Sequence, residues 1–363
     1  MKKIFNQLHS VIIFTLAFFS CIHTVSANAT MGSHITYKAI DSVNYIVYVT
    51  LYRDCNGLTP SNPVLEITGK STGKFNSTTT FINKADITHL YSISGCTLGS
   101  RCNSSGNYGI ETWEFADTIN ISGGACEYSF AITECCRSGA ISTGMSSTDM
   151  YNFAWVNKCA GKNTAPKLVQ HPRFLLPAGK DITINHAMME NDDTQDSVSF
   201  MLAPAYTASS TVASYAGSFS PAKPLTFLGF PNVSLSSPAG FRMDNVTGEI
   251  SFRPTKQNEL GIVCIEAREY RKVNGTETLA GFSRLEIMVN VISSVNMNMP
   301  TISTADESIC SGVSKCINIT TGGVDTTFFC RLEPEYTGCN YYQCNQYSQP
   351  NGHPMLDPNL CAN

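Results

Sequence analysis

The sequence predicts an all-β fold built from two tandem β-sandwich modules, stapled by disulfides and followed by a cysteine-rich carboxy-terminal tail. Three observations carry that expectation. Apolar residues recur with a period of two, the mark of strands that bury one face. Short segments are broken throughout by Gly, Pro, Asn, Asp and Ser, the layout of β-sandwiches rather than of βαβ units. The chain holds 15 cysteines, and all but Cys21 lie beyond a leader that directs export to an oxidising compartment.

The leader comprises residues 1–27. Lys2 and Lys3 open it, an apolar run extends from Val11 to Phe19, and Val25-Ser26-Ala27 offers the small-x-small pattern of a signal peptidase site. That run is nearer ten residues than the roughly twenty needed to cross a bilayer, so an integral membrane protein is not expected. Cys21 is a rival processing point, where lipidation would anchor the chain to the outer membrane surface, although Phe18 fits the aliphatic position of a lipoprotein signal poorly. Loss of Lys2 and Lys3 takes the formal charge from -4 to -6. With no Lys/Arg block, the chain is a poor partner for nucleic acid or an anionic membrane surface.

The strands follow in order. Residues 44–54 (NYIVYVTLYRD) are apolar on both faces and β-rich, which predicts a central strand. Trp113, Phe115, Ile119 and Ile121 share one parity. Tyr128, Phe130 and Ile132 alternate with Ser129, Ala131 and Thr133. Val198, Phe200 and Leu202 alternate with Ser199 and Met201, and Leu285, Ile287, Val289 and Val291 alternate with Glu286, Met288 and Asn290. Each pattern predicts a strand with one buried face.

Polar breaks at Lys162 to Pro166 and at Ser293 to Ala305 divide the mature chain into a module over 28–162, a second over 163–294, and a linker and tail over 295–363. The tail has little hydrophobic periodicity, so cross-links must hold it.

All 14 remaining cysteines are candidates for structural disulfides. Cys55, Cys96, Cys102, Cys126, Cys135, Cys136 and Cys159 fall in the first module, Cys264 in the second, and Cys310, Cys316, Cys330, Cys339, Cys344 and Cys361 in the tail. Zinc is disfavoured: no CxxC pair occurs, and the adjacent Cys135 and Cys136 cannot both enter an ordinary tetrahedral site without strain. If every cysteine pairs and the tail is self-contained, Cys264 must bridge to the first module. The other reading leaves Cys264 as a buried free thiol.

Some stretches resemble a known family. Ile35-Thr36-Tyr37-Lys38, then Tyr52-Arg53-Asp54-Cys55-Asn56-Gly57, then Glu134-Cys135-Cys136-Arg137-Ser138-Gly139 look like the amino-terminal module of secreted Bacteroidota surface proteins, gliding-motility-associated or adhesin-like. Asn163-Thr164-Ala165-Pro166, Asp196 to Phe200, Asp244 to Ile250 and Gly261-Ile262-Val263 resemble an immunoglobulin-like, cadherin-like repeat. The resemblance implies immunoglobulin-like sandwiches, a cell-surface or extracellular location and an adhesive role. Members of that family are usually longer and end in a sorting domain; none is recognised here, which suggests a piece of a longer protein or another export route.

Asp192, Asp193 and Asp196 lie in an oxygen-rich run that offers ligands to Ca²⁺, the one candidate cofactor, although the run lacks the family's glycine and better suits a solvated acidic turn. No enzyme is expected. His34, His89, His171, His186 and His353 form no HExxH pattern, no GxSxG elbow occurs, and Glu111 and Glu114 fall on opposite faces of one strand. Arg53-Asp54 and Arg137 are a candidate charge pair that supports the fold. The expected function is structural or adhesive, towards a surface glycan, a protein ligand or further copies of the chain. The alternative is a carbohydrate-processing accessory protein or the non-catalytic part of a larger secreted enzyme. A binding module should show aromatics on an accessible face; an enzyme should show converging titratable groups in a deep pocket.

Overall fold

The computed structural model describes residues 30–55, 57, 59–70, 75–80, 83–86, 109–168, 171–186, 188–189 and 196–293, together with short paired strands at 301–304, 319–322, 347–348 and 354–355. The leader, Cys96, Cys102, Asp192, Asp193, His89, His353 and the six tail cysteines lie outside these residues.

The described residues are strands and turns, with a single 3₁₀ turn at Lys158–Ala160 and no α-helix, as the period of two requires. In chain order the first strands are β1 (Thr30–Ala39), β2 (Asn44–Asp54), β3 (Val64–Lys70), β4 (Phe75–Thr80), β5 (Asn83–Asp86), β6 (Ile110–Asn120), β7 (Glu127–Glu134) and β8 (Met150–Asn157). After β9 (Lys167–Leu168) come β10 (Leu175–Pro177), β11 (Ile182–Asn185), β12 (Met188–Met189), β13 (Ser197–Leu202), β14 (Tyr206–Ala208), β15 (Thr211–Val212), β16 (Arg242–Met243), β17 (Glu249–Phe252), β18 (Leu260–Val273) and β19 (Thr276–Ile292).

Fourteen of these strands belong to one sheet whose main path runs β4-β3-β7-β8-β19-β1-β2-β6-β5. β2 lies between β1 and β6 along nearly its whole length, the central position expected from its two apolar faces. β18 and β19 form one long hairpin. Asn274 and Gly275 turn it with φ of 51° and 81°, the two positive angles that an Asn-Gly turn supplies at low cost.

The long strand β19 (Thr276–Ile292) pairs across the boundary expected at residue 162. Phe282 of β19 pairs with Trp155 of β8, and Arg284 to Ile287 pair with Ile35 to Gly32 of β1. Strands of both expected modules are thus hydrogen-bonded into one sheet. One core cluster belongs to the first half, around Tyr37, Tyr45, Phe115, Tyr128 and Phe130. The other joins Met31 and Tyr52 from the first half to Phe200, Phe241, Phe252, Ile265 and Leu285.

The polar break at Lys162 to Pro166 is also packed. Asn163 and Ala165 are buried, and Ala165 N donates to Tyr37 O at 2.8 Å. Asn163 Nδ2 donates to Tyr37 Oη at 3.0 Å and to Glu269 Oε2 at 2.6 Å, while Arg271 Nη2 donates to Asn163 Oδ1 at 2.6 Å. Its polar side chain marks an internal hydrogen-bond hub, a use of Asn that sequence cannot separate from a solvated loop.

Candidate functional site

The β18–β19 register sets Cys264 opposite Glu286, Glu266 opposite Arg284, and Arg268 opposite Phe282; β8 then adds Trp155 beside Phe282. Side chains two apart on a strand share a face, so these residues form one row on the face opposite to Leu285 and Ile287. The row runs from a buried end to an accessible one.

At the buried end, Arg137 clamps Glu286 with two parallel bonds, Nε to Oε1 at 2.7 Å and Nη2 to Oε2 at 2.9 Å. Arg137 also donates to Tyr206 O at 2.8 Å, to Thr148 Oγ1 at 3.2 Å and to Asp149 O, so nearly every donor of the fork is used. Cys264 Sγ lies 3.6 Å from Glu286 Oε2, and burial together with that carboxylate pushes its thiol pKa well up. A neutral thiol in such surroundings is a poor nucleophile.

In the middle, Arg284 Nη1 donates to Glu266 Oε2 at 3.1 Å and Nη2 donates to Pro204 O. Its guanidinium lies against two neighbouring rings, 4.8 Å from the Phe153 centroid and 5.0 Å from that of Tyr206. Arg284 Nε meets no acceptor among the described residues, so the rings supply what a hydrogen bond does not. Glu266 also accepts from Arg268 Nε at 2.6 Å.

At the accessible end, the Trp155 and Phe282 rings stack, 5.7 Å apart and 12° from parallel. Phe153 meets Phe282 and Tyr206 edge-on at 5.6 Å and 5.5 Å. Phe153, Trp155, Tyr206 and Phe282 are half-buried, and the Arg268 side chain is 37% exposed. Aromatic pairs of this geometry contribute about 0.5–1.5 kcal/mol each beyond their burial.

Other sequence-derived candidates are distributed differently. Arg53 pairs with Glu111 across β2 and β6, and Trp113 Nε1 donates to the same carboxylate at 3.0 Å; Arg137 goes to Glu286 instead, so the expected pairing of Arg53-Asp54 with Arg137 gives way to two separate buried or half-buried clamps. The alternation of Glu286, Met288 and Asn290 suggests a solvated face, yet all three are buried, and Arg137, which also donates to Tyr206 O, covers Glu286 on that face. Of the calcium candidates, Asp196 is held by Arg271, with Nε donating to Oδ1 at 2.9 Å, which neutralises the carboxylate an ion would need. Asp244, by contrast, builds the expected turn. Its Oδ1 accepts from Val246 N and Thr247 N at 2.9 Å each, Gly248 takes φ of 72°, and those bonds hold the Asp244 carboxyl down at about 2.

Cys126–Cys159 and Cys135–Cys136 are disulfides, and Cys55 is disulfide-bonded as well. Cys264 is a free buried thiol, so the bridge from it to the first module is not formed. Its near neighbour across the sheet is Glu286 rather than a second sulfur. Cys135, Cys136 and Asp149 bring three potential ligand atoms within 4.8 Å, but the two sulfurs are bonded to each other and neither is a thiolate. No described helix is long and apolar enough to cross a membrane.

No family model matches the sequence, and no curated protein matches it. Fold and site together define an all-β, disulfide-bonded protein with an aromatic and guanidinium platform on one sheet face.

Proposed function

We propose that this is an exported cell-surface or extracellular adhesion protein that binds a glycan on the platform of Phe153, Trp155, Tyr206, Phe282 and Arg268. The supporting observation is the stacked Trp155–Phe282 pair, half-buried beside the Arg268–Glu266 ion pair. Sugar rings present an apolar C–H face that packs on an aromatic plane, while their hydroxyls accept hydrogen bonds from guanidinium and donate them to carboxylate at the rim. No side chain here is placed as a nucleophile beside a base. Leader and cysteine usage support a location outside the cytoplasm, on the outer surface or beyond it.

A screen of immobilised glycans tests this reading, followed by titration of each hit with Trp155→Ala and Arg268→Ala. Loss of binding of tenfold or more in both variants, with unchanged circular dichroism, is the expected result. Glycan binding unaffected by either variant sinks the assignment, and binding only to proteins transfers the platform to a protein ligand.

A further inference from the structure

We propose that Cys135–Cys136 is a thiol-exchange site through which the protein reacts with external thiols. The inference is independent of the glycan platform. The two described disulfides differ in what they join. Cys126–Cys159 spans a sequence separation of 33 and ties the start of β7 to the end of β8, so it restricts the unfolded chain. Cys135–Cys136 spans a separation of 1. It links residues that a peptide bond already holds together, closes no loop, and therefore has no stapling role in the chain-entropy account. Access does not separate the two bonds, since Cys126, Cys135 and Cys159 are all exposed.

The surroundings of the adjacent pair govern how fast it opens and what becomes of Cys136. Asp149 is exposed, and its Oδ1 lies 3.7 Å from Cys136 Sγ. Arg137 fixes the relative position of both partners: its backbone N donates to Thr148 O at 2.8 Å and its side chain donates to Asp149 O, while Glu286 anchors the guanidinium from inside. An exposed disulfide is thus presented on a rigid corner with a carboxylate beside one sulfur.

In the exchange, an external thiolate attacks the exposed Cys135 Sγ. A new S–S bond forms there, the Cys135–Cys136 bond breaks, and its electron pair leaves on Cys136 Sγ. That thiolate takes a proton from water, and the resulting S–H donates to Asp149. A second external thiolate then attacks the outer sulfur of this mixed disulfide, so that an external disulfide forms and Cys135 Sγ leaves as a thiolate that takes up a proton; two external thiols are oxidised to one disulfide as the cysteine pair is reduced. The Asp149 charge opposes the thiolate as it departs, and afterwards it holds Cys136 as a thiol, which does not reclose the ring until it loses its proton.

The test uses the native full chain with glutathione as the probe, quenched by alkylation at timed intervals and mapped by peptide mass spectrometry. The expected product carries glutathione on Cys135 and the alkyl group on Cys136 while Cys126–Cys159 remains closed. Opening of Cys135–Cys136 no earlier than Cys126–Cys159, or only once the protein unfolds, overturns the proposal. Asp149→Asn should open about 3- to 10-fold faster at low ionic strength, the effect of removing one unit charge at this distance from water-exposed sulfur. An unchanged rate overturns the role given to that carboxylate.

Discussion

Arg137 and Glu286 are 149 residues apart in sequence and form a two-point ion pair at 2.7 Å and 2.9 Å, with 2% and 3% of their side chains exposed. One comes from the turn after β7 and the other from β19, so the pair joins the amino-terminal half of the chain to its last long strand. Two charges withdrawn from water interact strongly, but each has lost its hydration, and a charge left without its partner is costly.

Arg137→Ala and Glu286→Ala should therefore each lower unfolding free energy by about 3–5 kcal/mol. Arg137→Lys should fail to restore it, because a single ammonium cannot reproduce the fork. The double change Arg137→Met with Glu286→Leu should recover most of the loss. Guanidinium unfolding midpoints check this series, and single variants within about 1 kcal/mol of wild type would contradict the burial of the pair.

The cysteines should separate by accessibility and by consequence. Cys126→Ser should cost up to about 4 kcal/mol, since the bond it removes closes a separation of 33 residues. Cys264 should resist alkylation in the native protein and react, without prior reduction, once the chain is unfolded. Alkylation of Cys264 at the same rate in both states would show that it is not buried.

Acid should destabilise the protein through its histidines. Burial lowers His34 to about 3 and His171 and His186 to about 4, against an ordinary 6.5. Below pH 6.5 the unfolded chain takes up protons at these rings and the native one does not, so stability falls as pH drops from 6.5 towards 4. Each contributes up to about 3 kcal/mol to that loss. Glu134, raised by burial to about 7, acts in the opposite direction over the same range, but it is one group against three. Denaturation midpoints at pH 7, 6, 5 and 4 should decline, and a flat profile would contradict buried neutral imidazoles.

Gly281 is needed for closeness rather than for an unusual backbone angle. A Cβ there would come within 1.9 Å of Tyr37 Oη and 2.7 Å of Asn163 Nδ2. Tyr37 Oη also donates to Trp155 O at 3.0 Å. Gly281→Ala should break this hub and cost at least about 2 kcal/mol, by overpacking and by leaving buried donors unpaired. A melting temperature equal to that of wild type would contradict it.

Alternation alone locates Tyr128, Phe130 and Ile132 on β7 and Phe115 and Ile119 on β6, and all five are buried. The same signal misleads at Glu286 and Asn290, since a polar residue buried against a distant arginine looks in sequence like one facing water. Asn163 misleads in the same way. The platform escapes sequence reading because Phe153 and Trp155 lie more than 120 residues from Phe282, and no local pattern records that β8 and β19 are neighbours.

The sequence by itself determined the all-β class, the apolar face of strands such as β7 and the turn chemistry, because each depends on interactions among residues a few positions apart. Pairing of strands across the boundary near residue 162, the fate of Cys264 and the partner of Arg137 were decided by the tertiary structure. Those outcomes depend on which of many chemically equivalent edges and charges come together, a choice made by the packing of the whole sheet and written in no single segment.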